Sequence, residues 1–120
     1  MKKILIVDDE PLLVKSMCIV LKYRGFDVQG VMDGYEGIKS AESFQPDIII
    51  LDIMMPGIDG WETLKRLKEN DKTRHIPVII FTAKEYSNGT QLARQAGAAD
   101  LITKPVEPEI LISSLTKLSD

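Results

Sequence analysis

The chain has 120 residues, 44% of them hydrophobic and 28% charged, which is ordinary for one globular domain with a sizeable core. Its 15 lysines and arginines against 18 aspartates and glutamates give a net charge of −3, which argues against the basic stripe of a nucleic-acid surface. No apolar stretch approaches the roughly 20 residues of a membrane span, and a single cysteine, Cys18, excludes an intrachain disulfide.

The apolar run ILIV at 4–7 predicts a first strand over 3–8, ending in Asp8 and Asp9. With Glu10, these acids cut the apolar part to four residues, too short for a signal-peptide core, and a cytoplasmic location is the expectation. Pro11 follows where a first helical turn tolerates proline. Leu13, Met17, Val20 and Leu21 then recur at helical spacing toward the core, and Gly25 ends the helix. Cys18 falls on this helix and reads as a small, partly buried hydrophobe. A short strand is expected over 26–31. Asp33 is placed to cap a second helix, which carries Ile38, Ala41 and Phe44 on one face and stops at Pro46.

The most apolar strand, 47–52, ends in Asp52, and a loop with Pro56, Gly57 and Gly60 follows. The third helix is expected over 61–70, with Trp61 at its start and Leu64 and Leu67 inward. His75 sits in a polar turn and reads as a surface residue. One histidine with one cysteine leaves no imidazole–thiolate zinc site. A fourth strand over 77–82 ends in Thr82. The helix expected over 87–96 has only Leu92 and small alanines to anchor it, which makes it a candidate for movement. The fifth strand, 100–103, runs into Lys104 and Pro105. The last helix, 107–118, turns Ile110 or Leu111, Leu115 and Leu118 inward.

Continuous apolar runs without alternation read as strands buried on both faces of a parallel sheet. Five alternations of strand and helix imply βαβ units, and the handedness of parallel crossovers leaves few topologies. A doubly wound α/β sheet of order 2-1-3-4-5, the common architecture adopted here, puts strand 1 beside strand 3. Ligands in such sheets sit at the carboxyl ends of the strands. Asp8, Asp9, Asp52, Thr82 and Lys104 are therefore expected on one edge.

Clustered carboxylates raise one another's pKa unless a cation joins them. Mg²⁺ takes oxygen ligands and often shares a phosphate oxygen. A carboxylate also serves as a nucleophile toward phosphorus, and Asp52, on a central strand, is the candidate. Phosphoryl transfer then needs positioning and charge neutralisation. Lys104 supplies a mobile point charge, and Thr82 a hydroxyl hydrogen bond. Taken singly, Asp9 or Glu10 would suit a helix cap, Thr82 a strand end, and Lys104 a solvated surface. Their matched placement after apolar strands favours the joint reading. The Lys104–Pro105 bond is of the kind that adopts either cis or trans at modest cost.

Asp8–Asp9–Glu10 after its strand, the DIMMPGIDG string at 52–60, Thr82–Ala83 and Lys104–Pro105 together resemble the signatures of response-regulator receiver domains of two-component signalling. The resemblance spans essentially the whole chain, in the right order and spacing. It implies a flavodoxin-like (βα)5 fold with Asp52 as acceptor of a phosphoryl group from a histidine kinase or histidine phosphotransfer protein. It implies Mg²⁺ held by Asp8 or Asp9, Asp52 and the backbone carbonyl of Met54, with Thr82 and Lys104 on the phosphoryl group and a cis Lys104–Pro105 bond. The domain would catalyse its own phosphorylation and dephosphorylation, as a signal and not as metabolism. Phosphorylation would switch the helix 4–strand 5–helix 5 face, which binds a partner protein or an output domain. Met54 and Lys84 stand where the family tunes water access. Leu101 departs from the family, which often has an aromatic residue there, so a weaker or differently shaped output change on that face is expected.

Two other readings use the same residues. A receiver-like binding module would work without phosphate, although every expected active-site residue is present. A haloacid-dehalogenase-type phosphatase also forms an aspartyl phosphate, but it wants a second aspartate two residues after the nucleophile, and position 54 is Met. Residues 1–120 read as one domain. The initial Met1 favours a stand-alone receiver, and an excised domain that ends after its last helix fits as well.

Overall fold

Residues 48–51 are all buried, the pattern of a strand covered on both faces and not of one with a wet side. The computed structural model describes residues 2–119. In chain order they form β1 (Lys3–Val7), α1 (Pro11–Tyr23), β2 (Asp27–Val31), α2 (Gly34–Phe44), β3 (Ile48–Leu51), α3 (Gly60–Glu69), β4 (Val78–Thr82), α4 (Gly89–Gln95), β5 (Asp100–Thr103) and α5 (Pro108–Ser119). All strand pairs are parallel, in the order β2-β1-β3-β4-β5. This is the flavodoxin-like doubly wound sheet expected from the sequence.

Alternate strand residues feed two cores, because successive side chains point to opposite faces. Leu5, Val7, Ile49, Leu51, Val78 and Ile80 meet Ala41, Leu64, Leu67 and Ala93 from α2, α3 and α4. Ile4, Ile6, Ile48, Ile50, Ile79 and Phe81 meet Val14, Met17 and Leu21 of α1 and Leu111 and Leu115 of α5. Among the described residues, no helix is long and apolar enough to cross a membrane.

The inward stripe of α1 is Val14, Met17 and Leu21, while Leu13 and Val20 are only half-buried. A glycine on β2 accounts for this rotation. A Cβ at Gly30 would lie 2.3 Å from Val14 Cγ1, so the bare backbone there is what admits Val14. In α5, Leu111 and Leu115 are buried, but Leu118 and Ile110 are exposed. Leu118 falls in the final turn, where terminal residues have fewer neighbours. α4 is shorter than its sequence pattern implied and buries only Gly89 and Ala93 of its own residues, with no side-chain cap from Asn88.

Aspartates cap α2 and α3. Asp33 Oδ1 accepts from the Glu36 N–H at 2.8 Å, as expected. Asp59 does the same for α3, accepting from Glu62 N–H at 2.9 Å. Both lie in an Asp-Gly-aromatic-Glu string, a cap with a first-turn acid that complements the helix N-terminus.

Candidate functional site

The strands stop one residue before their acids. The Asp8 N–H still donates to Val31 O and the Asp52 N–H to Val7 O, so the backbones stay tied to the sheet while the side chains turn to its carboxyl edge. Val7 pairs with Leu51 in register, and Asp8 and Asp52 therefore leave adjacent strands side by side. Asp8, Asp52 and Thr82 are all buried. A close approach completes the loop after β3: a Cβ at Gly60 would lie 2.2 Å from the Asp52 carbonyl oxygen and 2.5 Å from Ile53 Cα. Only glycine lets the start of α3 fold back on Asp52, where the Gly60 N–H donates to Ile53 O.

Lys104 enters from the far side of the sheet. Its Nζ lies 2.7 Å from Asp8 Oδ2, 3.1 Å from Glu10 Oε1 and 3.7 Å from Asp52 Oδ2. The ammonium also sits 5.4 Å from the centre of the Phe81 ring, within the range of a cation–π contact. The Lys104 N–H donates to Thr82 O at 2.7 Å, and the Lys104–Pro105 bond is cis. The other oxygens are held by backbone. Asp52 Oδ1 accepts from Ile53 N–H at 2.8 Å, and Asp8 Oδ1 accepts from Glu10 N–H at 3.0 Å. One oxygen of each aspartate is thus fixed by its own loop and the other faces the ammonium.

Carboxylate oxygens of Asp8, Glu10 and Asp52 all lie within 4.8 Å of one another. Burial pushes the Asp8 carboxyl above its ordinary range, and the charge on Asp52 adds to this. Hydrogen bonds from Lys104 and from the Glu10 N–H act the other way without cancelling it. Burial alone would lower the Lys104 pKa. Hydrogen bonds to Asp8 and Glu10, with the charges of Asp8 and Asp52, outweigh that and hold the ammonium protonated. A place among all-oxygen donors that draws in a buried cation suits a hard divalent ion. The residues present fit Mg²⁺.

Asp8, Asp52 and Lys104 converge. Thr82 ends β4 beside them, with its hydroxyl accepting from Lys84 N–H at 3.3 Å. Asp9 lies outside the three-acid group and lines an adjoining hollow with Met54, Lys84, Trp61 and Tyr86. Glu10, like Asp9, suits a helix cap when taken singly. It precedes α1 but makes no side-chain cap bond; its carboxylate accepts from Lys104 instead. No spacing rule separates these two uses of an acid at a helix start. The Trp61–Tyr86 contact across that hollow was also not foreseen.

Chemically, the site offers a buried carboxylate with one oxygen restrained and the other beside a protonated amine, the arrangement a nucleophile toward an electron-poor phosphorus needs.

Residues 4–116 match the model of the response regulator receiver domain family. The chain is 35% identical over 115 residues to protein PilH of Pseudomonas aeruginosa, covering 96% of this chain and 95% of that one. It is 36% identical to the DNA-binding dual master transcriptional regulator RpaA of Synechocystis, over 98% of this chain and 49% of that protein. The chain thus spans about half the length of RpaA, and 44% of the transcriptional regulatory protein TrcR of Mycobacterium tuberculosis. Among solved structures, chemotaxis protein CheY4 of Vibrio cholerae superposes with a TM-score of 0.90 at 28% identity, covering 98% of each chain. The Francisella response regulator 1452 receiver domain gives a TM-score of 0.91 at 28% identity, over 99% of this chain and 97% of that one. Fold, site and relatives converge: the chain belongs to the receiver-domain family of two-component response regulators.

Proposed function

We propose that Asp52 is a phosphoacceptor, charged by a histidine kinase or histidine phosphotransfer protein. The observation that carries this is one ammonium, that of Lys104, shared by Asp8 at 2.7 Å and Asp52 at 3.7 Å. In the reaction, Asp52 Oδ2 forms the new O–P bond as the N–P bond of the donor phosphohistidine breaks, and the histidine nitrogen takes the electron pair. Lys104 shifts from the carboxylates to the incoming phosphoryl oxygens and neutralises charge there. The Thr82 hydroxyl donates to another phosphoryl oxygen. Asp8 or Asp9, Asp52 and the Met54 carbonyl would hold Mg²⁺, which supplies further charge neutralisation when bound. Dephosphorylation is the attack of water on the same phosphorus, with Asp52 as leaving group and Met54 and Lys84 at the entrance.

The output is a change on the α4–β5–α5 face, read by a partner protein or by a further domain. PilH, matched over nearly its full length, supports the first route; RpaA and TrcR, twice as long and named as transcriptional regulators, support the second. This signalling takes place in the cytoplasm, within one domain over 1–120. The test is thermal unfolding with Mg²⁺ and beryllofluoride, a phosphoryl mimic. Wild type should gain several degrees over Mg²⁺ alone, and Asp52→Asn should gain nothing. Equal gains in both proteins would refute Asp52 as the acceptor.

A further inference from the structure

Residues 83–88 link β4 to α4, and five of the six are exposed; Tyr86 alone is half-buried. The helix that follows buries only Gly89 and Ala93 of its own residues. The anchor of this stretch is therefore what Tyr86 touches, which is Trp61. The two rings meet edge-to-face, with centroids 6.1 Å apart and planes at 79°, a favoured aromatic geometry. Trp61 Nε1–H also points at Tyr86 Oη across a long 3.4 Å. Each ring is rooted in the site. Trp61 follows Gly60, whose backbone lies against the Asp52 carbonyl, on a helix start fixed by the Asp59 cap. Tyr86 stands four residues beyond Thr82, and Lys84 Nζ lies 5.2 Å from the centre of its ring. Both rings and Lys84 wall the hollow that also contains Asp9 and Met54.

We infer that Trp61 and Tyr86 form a strut between the Asp52 loop and the 83–88 segment, and so position the Thr82 hydroxyl and the Lys84 ammonium for phosphoryl transfer. Neither ring touches the reacting atoms; both are positioning residues. The inference rests on the reading of Asp52 as phosphoacceptor. The ring contact matters more than the hydroxyl, because 3.4 Å is near the limit of a hydrogen bond.

Trp61 is the only tryptophan, so its emission reports the contact directly. The experiment compares wild type, Tyr86→Ala and Tyr86→Phe in Mg²⁺ with acetyl phosphate, following intact mass, Trp61 emission and amide exchange over 83–88. Tyr86→Ala should shift the emission to the red, speed exchange of the segment and slow phosphoryl gain by roughly tenfold, the scale expected for a small misplacement of positioning groups. Tyr86→Phe should stay within about twofold of wild type, because the ring contact is kept. Trp61→Leu, made from the other end, should reproduce the slow gain and the fast exchange. A Tyr86→Ala protein that gains phosphoryl at the wild-type rate overturns the strut, as does an equal loss in Tyr86→Phe. A wild type that gains none overturns the acceptor reading and with it the strut's catalytic purpose, while emission and exchange still decide whether Tyr86 holds the segment.

Discussion

Lys104 and Asp8 are 96 residues apart in sequence, and their side chains meet at 2.7 Å. β3 and β4 stand between the strands that carry them, so this one contact spans the carboxyl edge of the sheet. It gives the acidic cluster its counter-ion and brings the cation to the place where a transferred phosphoryl group would develop charge.

Lys104→Met should destabilise the protein in metal-free buffer by about 2 kcal/mol, the scale for losing hydrogen bonds to buried charged groups. Urea unfolding with and without Mg²⁺ measures it. Part of the loss should return with Mg²⁺, because a second cation then offsets the same carboxylates.

The Asp8 carboxyl has its pKa raised above the ordinary 3.8, first by burial. The folded state therefore binds that proton more tightly than the unfolded chain. Stability is gained as pH falls through the folded pKa toward 3.8 and is withheld above it. Asp8→Asn should flatten this part of the pH–stability curve and make the metal-free protein more stable at neutral pH. Lys104 has the opposite window: its raised pKa contributes stability below 10.5 that disappears as pH climbs through the folded value. Denaturant midpoints across pH, compared between the two proteins, read both limbs.

Gly60→Ala places a methyl 2.2 Å from the Asp52 carbonyl oxygen. The obstacle is backbone, so the loop itself must move. The expected loss is about 2 kcal/mol of stability, typical of an overpacked site, together with slower phosphoryl gain. An alanine variant with wild-type stability would show that the close approach is not required.

Thr82→Ala should still gain a phosphoryl group but lose the phosphorylation-dependent change in partner binding or dimerisation, while Thr82→Ser keeps it. Phosphorylation favours one conformation only through contacts made better in that state, and the Thr82 hydroxyl is the proposed contact. An unchanged response in the alanine protein would remove Thr82 from the switch.

The fold was legible because its strands are continuous apolar runs: residues 48–51 allow little but a two-sided strand. The convergence of Asp8, Asp52 and Lys104 was legible for the same reason, since each follows such a run. Other features depend on space that the chain makes only when folded. Val14 turns inward because Gly30 lacks a side chain, and helical spacing alone favours Leu13 and Val20 equally well. Glu10 rather than Asp9 joins the cluster, a choice set by where Lys104 arrives. The Trp61–Tyr86 contact joins the first turn of α3 to the segment before α4, 25 residues apart, beyond the reach of any local pattern. Leu101, half-buried on β5, does not show from sequence what replaces an aromatic residue on that face.

The most direct measurement is intact mass after incubation with Mg²⁺ and a small phosphodonor, for wild type and Asp52→Asn. The account predicts one added phosphoryl group on wild type, absent from the variant and absent without Mg²⁺. Folded wild type that gains none, or a variant that gains as much, would contradict it.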